Sequence, residues 1–232
     1  MSDQLRQLTI PLRLNALCDF ENFHAGRNAE LVNRLENLTA AGVFSGLFLW
    51  GQKGRGCSHL LQATCHRFTA AGRRSAYLPL ADLPRDPDLL SGLEDADLVA
   101  VDDLQTWLGS VARESALMAL YQGLLASGRR LLVASAAAPT KLDFALADLA
   151  SRMRGLEVFE VQPLDDDGLR DVLTLVARRK GLTLDEAVLD FWLHRSSRHL
   201  PDLLEQLEAL DLAALAAQRR LTIPLLKAVL EL

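Results

Sequence analysis

Up to about Val161 short apolar runs alternate with stretches in which apolar side chains recur every three or four positions; beyond that point only the second pattern continues. Leu47-Phe48-Leu49-Trp50, Ser75 to Leu80, Leu98 to Val101, Leu131 to Ser135 and Val158 to Val161 are short and apolar and predict buried strands. Between them, Ser58 to Phe68, Glu114 to Leu125 and Asp143 to Met153 have helical spacing, with Gly72 and Gly128 as stops. An earlier helix is introduced by Asn28 and carries Leu31, Leu35 and Leu38, after a loop that holds Phe20 and Phe23 and ends at Gly26. Strands alternating with helices predict a parallel sheet covered on both faces, with its ligand edge at the strands' carboxyl ends. From Pro163 onward the pattern predicts four helices: Asp165 to Lys180, Asp185 to Leu193, Leu200 to Ala217 and Thr222 to Leu232. The expected organisation is an N-terminal peptide at 1–13, an α/β domain at 14–162 and a small all-α lid at 163–232.

The first strand leads into Gly51-Gln52-Lys53-Gly54-Arg55-Gly56-Cys57-Ser58, a glycine-rich turn that opens a helix. In a P-loop the glycines let backbone N–H groups cradle phosphate, a lysine reaches the outer phosphates and a hydroxyl holds magnesium. Gly51, Gly56 and Ser58 fit that spacing, but the lysine position is Cys57, and a neutral thiol cannot replace a point charge. Downstream, Leu98 to Val101 ends in Asp102-Asp103, as a Walker B strand requires for aiming a carboxylate at magnesium. The candidate nucleotide site is therefore Gly54, Gly56, Cys57, Ser58, His59 and Asp102. It is degenerate: ADP is a doubtful ligand, and Mg2+ is expected only if nucleotide is bound.

Composition narrows the classes. The 232 residues are 50% hydrophobic, enough for a sizeable core, and the net charge of -5 comes with scattered positive residues. No basic patch of a dedicated nucleic-acid binder is present, so no direct specific DNA binding is expected. Cys18, Cys57 and Cys65 form neither a CxxC pair nor a zinc spacing. Without a signal-peptide layout or a membrane-length apolar run, the expected location is the cytoplasm. At the N-terminus Gln7-Leu8-Thr9-Ile10-Pro11-Leu12 is a short apolar cluster stiffened by proline. It suits either a terminal strand folded onto the domain or a peptide that docks in a partner's groove.

The order of Phe20-Glu21-Asn22-Phe23, Gly51 to Ser58, Leu98 to Asp103 and Asp148 to Arg152, followed by a helical lid, resembles the AAA+ domain of the DnaA family of replication initiators. The pattern stops where an initiator would continue into a DNA-binding domain. With the N-terminal hexamer and Gln218 to Pro224, this is similar to the regulatory branch of the family, which docks on the DNA-loaded sliding clamp and triggers ATP hydrolysis by DnaA. The resemblance implies the DnaA initiator and the clamp, the beta subunit of DNA polymerase III, as partners. Gln7 would orient the clamp peptide, Leu8, Ile10 and Leu12 would fill the clamp pocket, and Pro11 would stiffen the segment. On its own Arg152 reads as a solvated or salt-bridged helix residue; the family's DLxSR motif implies an arginine finger acting in trans.

Three departures from the family pattern bear on the nucleotide: Cys57 for the loop lysine, Ala136 at the first sensor position and Pro201 at the second. They imply that the chain is not an ATPase by itself. The alternatives are a self-sufficient, loader-type P-loop ATPase and a nucleotide-gated adaptor, and the oligomeric state is open.

Overall fold

The computed structural model describes residues 14–15, 18–38, 43–217 and 220–231, so the hexamer Gln7 to Leu12 lies outside the described residues. The described chain forms two compact units. One holds the residues up to Phe23, Asn28–Gln52 and Gly56–Val161; the other holds His24–Arg27, Lys53–Arg55 and Gln162 onward.

In the first unit the apolar runs become strands β1 (Ser45–Trp50), β2 (Ser75–Pro79), β3 (Leu98–Asp102), β4 (Arg130–Ser135) and β5 (Glu157–Glu160). They pair in parallel in the order β2-β3-β4-β1-β5. The helices are α1 (Ala29–Glu36), α2 (Cys57–Ala70), α3 (Val111–Ala126) and α4 (Ala147–Arg154). Strand side chains alternate between faces, so β1 sends Leu47 and Leu49 to a core shared with Leu31, Leu35, Leu60, Leu61 and Phe68. Phe48 goes to the opposite core with Leu117, Leu120, Leu124, Leu149 and Met153. Both faces are thus covered by helices, which is why β3 and β4 are buried at every position.

Two helix starts differ from the sequence expectation. Helix α3 begins at Val111 rather than Glu114, because Ser110 has the extended backbone of a cap. Helix α4 begins at Ala147 rather than Asp143. Pro139–Lys141 forms its own 3-10 turn, and the following segment runs extended to Leu146, whose N–H bonds outside the helix.

The second unit contains α5 (Asp166–Arg179), α6 (Glu186–Leu193), α7 (Leu200–Ala217) and α8 (Ile223–Leu230). As expected, Asp165 caps α5 by accepting from the Gly168 N–H at 2.9 Å. Thr222 caps α8, with Pro224 in its first turn. Leu173, Trp192, Leu203, Leu207, Leu210 and Leu226 are fully buried in one helical core. The Trp192 indole N–H donates to Gln206 Oε1 at 2.6 Å, which satisfies the polar edge of the largest side chain in that core. Among the described residues no helix is long and apolar enough to cross a membrane.

Candidate functional site

The carboxyl ends of β1, β4 and β3 lie side by side, so the sheet itself assembles the site. The loop leaves β1 at Gly51, whose N–H donates to the Ser135 carbonyl at 3.1 Å. Gly54 and Gly56 have φ of 87° and 96°, a region that favours glycine, and Gly56 caps α2. The turn therefore keeps the shape of a phosphate cradle. Cys57 is the first residue of α2, where the charge of a P-loop lysine would sit, and it is not in a disulfide.

Ser58, on the first turn of α2, bonds through its side chain to Asp102 at the end of β3. Asp102 is 3% exposed and also accepts from the Tyr77 hydroxyl of β2 at 2.7 Å and from the Asp103 N–H at 3.0 Å. Burial pushes the Asp102 carboxyl above its ordinary value, against the pull of the Ser58 and Tyr77 hydroxyls. Burial, then the Asp102 charge, pushes the Tyr77 hydroxyl up. Asp103, in a left-handed backbone conformation with φ 54°, accepts from the Gln105 amide at 2.9 Å. Gln105 Oε1 in turn accepts from Ser135 Oγ at 2.9 Å and from the Ala136 N–H at 3.1 Å. Gln105 thus holds the Ala136 amide at the end of β4. Sequence reading singled out neither Tyr77 nor Gln105, because Asp102 reaches Tyr77 from the next strand and Ser135 and Ala136 lie 30 and 31 positions from Gln105.

On the other side of the cradle the Phe23 ring rests on the loop. A Cβ on Gly56 would stand 2.7 Å from Phe23 Cε2. His59 lies 5.4 Å from that ring, centroid to centroid, and its Nε2 bonds to the Asp19 carbonyl at 2.7 Å. Burial lowers the His59 pKa, so the neutral imidazole donates this bond.

Within the second unit, Lys53–Arg55 packs on the start of α7. His199 Nε2 bonds to the Lys53 carbonyl at 3.0 Å, and its Nδ1 bonds to Asp202 at 2.8 Å. Pro201 abuts Gly54, where an added Cβ would stand 2.4 Å from the proline Cδ.

These residues keep the loop shape of a phosphate cradle, with a thiol in place of the lysine that would reach the outer phosphates.

Arg152 is elsewhere, on the exposed face of α4, while Leu149 and Met153 of the same helix are buried. Its guanidinium carbon lies 6.0 Å from the centroid of the Tyr121 ring on α3, within cation–π range. Among the described residues no carboxylate forms an ion pair with it.

A parallel sheet in this order, a glycine-rich loop after β1, paired carboxylates at the end of β3 and a helical unit make up a P-loop AAA+ fold. Domain III of the Thermotoga maritima replication initiation protein DnaA shares the fold, with TM-score 0.80, 20% identity, and coverage of 94% of this chain and 98% of that one. AMPPCP-bound DnaA from Aquifex aeolicus matches at TM-score 0.72 and 23% identity, over 88% of this chain and 68% of that one. The Thermotoga maritima RuvB Holliday junction branch migration motor matches at TM-score 0.67 and 16% identity, over 87% and 68%. Residues 165–230 match the family model described as "Hda, lid domain". The chain thus has the fold of DnaA-type AAA+ domains, and residues 165–230 are similar to the lid of Hda.

Proposed function

We propose that this chain is a negative regulator of replication initiation that switches off a DnaA-type initiator by lending it Arg152. Docked on the DNA-loaded sliding clamp through Gln7 to Leu12, it presents the guanidinium to the ATP site of an initiator protomer. A guanidinium is permanently charged and offers a fork of donors, so it stabilises charge developing on the transferring phosphoryl group. The carrying observation is an exposed Arg152 on a helix otherwise anchored in the core, with no carboxylate paired to it among the described residues. The match of the lid to the Hda model supports the regulatory branch. On this reading the chain is an activator of its partner's hydrolysis rather than an ATPase, and it works in the cytoplasm.

The test is ATP hydrolysis by the initiator with DNA-loaded clamp, with and without this protein. Arg152→Ala is expected to keep clamp binding and to abolish stimulation; deletion of residues 1–13 is expected to abolish both. Unchanged stimulation by Arg152→Ala removes the residue from the mechanism. ATP turnover by the purified chain alone, lost in Asp102→Ala, would establish the self-sufficient ATPase instead.

A further inference from the structure

Helix α4 is eight residues long and has no side-chain cap of its own: its N-cap is Leu146. Its entry is held instead by Glu114, on the first turns of α3. That carboxylate is 0% exposed. Glu114 Oε1 accepts from the Gly109 N–H at 2.8 Å and the Ala145 N–H at 2.9 Å, and Oε2 accepts from the Leu146 N–H at 2.8 Å. One buried anion therefore ties together the turn before α3 and the two residues that lead into α4. Arg113 braces the same turn from the other side, its Nε donating to the Trp107 carbonyl at 3.0 Å.

The register of this clamp matters because Arg152 lies six positions after Leu146, a rise of about 9 Å along the helix. Leu149 and Met153, buried against α3, fix the rotation of α4; Glu114 fixes where the helix begins. We infer that Glu114 is a positioning residue for Arg152: its carboxylate sets the start of α4 and so aims the guanidinium. The inference rests on the role proposed for Arg152 above. A carboxylate is required because all three donors are backbone N–H groups. A glutamine would turn an NH2 group toward at least one of them, and an alanine would leave all three without an acceptor.

The experiment is a double-mutant cycle on initiator ATP hydrolysis at saturating regulator, with Glu114→Gln, Arg152→Lys and both together. A displacement on the order of 1 Å at a reacting group can cost roughly a hundredfold. Glu114→Gln is therefore expected to lower the stimulated rate about 10- to 100-fold, with clamp affinity unchanged. In the Arg152→Lys background, which keeps a positive charge and some stimulation but not the fork of donors, it is expected to cost less than about 3-fold, because a flexible ammonium depends far less on how it is aimed. Amide exchange at Ala145 and Leu146 is expected to quicken in Glu114→Gln while amides of β4 keep their protection. If that variant does not fold, Glu114→Asp, which keeps the charge and shortens the reach, carries the same cycle with a smaller loss.

Full stimulation by a folded Glu114 variant, or an equal loss in both backgrounds, overturns the inference. Full stimulation by Arg152→Ala alone overturns the functional reading on which it rests.

Discussion

Gly56→Ala tests whether the cradle keeps its shape through its own packing. Two costs are legible at this residue. Its φ of 96° is a conformation L side chains rarely adopt, with a penalty of about 1–2 kcal/mol. The new methyl would also stand 2.7 Å from the Phe23 ring, well inside contact distance. Overpacking of this kind costs about 1–3 kcal/mol. Together they predict a destabilisation of about 2–5 kcal/mol in urea denaturation of the full chain. Only the second cost depends on the ring, so the two can be separated. In a Phe23→Ala background the methyl has room, and the penalty is expected to fall to the conformational part, a coupling of about 1–3 kcal/mol. No part of this expectation invokes a ligand. A cost under about 1 kcal/mol for Gly56→Ala, or strict additivity with Phe23→Ala, would show that the loop relaxes freely and that the Phe23 contact does not hold it.

Other expectations follow from the buried and paired titrating groups. Tyr77→Phe removes a 2.7 Å donor from buried Asp102 and is expected to cost about 1–3 kcal/mol at pH 7. Because the folded Asp102 pKa is raised, folding favours its protonated form. That contribution is complete below the ordinary carboxyl value and is lost as pH rises through the folded one. Denaturation at pH 4 should therefore show a smaller Tyr77→Phe penalty than at pH 7, and equal penalties would refute the account. His199 is raised from 6.5, first by its bond to Asp202 and then by the Lys53 carbonyl. Its stabilising contribution is complete below that ordinary value and is lost as pH rises through the raised one. NMR titration of the His199 ring should give a midpoint above 6.5 that falls in Asp202→Asn, and an unchanged midpoint would refute the pairing. Burial pushes the Cys65 thiol up to about 12. Alkylation at pH 8 should therefore leave Cys65 unmodified in the native chain and modify it in urea, as read by mass spectrometry.

Much of the architecture was legible because it depends on local pattern. The apolar run Leu47–Trp50 followed by spaced glycines can hardly be anything but strand and loop, and Asp165 and Thr222 announce their helices through side-chain chemistry. The start of α4 was not legible, because the signal that delays it, a carboxylate on α3, is 31 positions away in sequence. Glu114 itself reads as an ordinary polar residue near a helix start; only the fold shows that it is buried. Tyr77 and Gln105 escaped for the same reason: adjacency between neighbouring strands brings each to its partner. Lys53–Arg55 is continuous with the loop in sequence yet belongs to the helical unit, through a histidine and a proline that lie far along the chain.

Gln105 has one more consequence. By joining Asp103 to Ser135 and the Ala136 amide, it fastens the tips of two neighbouring strands with a single side chain. Any solute that competes for those atoms must first break up a set of contacts that are already satisfied, and that reorganisation is subtracted from its affinity. The rim is thus preassembled, and its geometry owes nothing to a visitor.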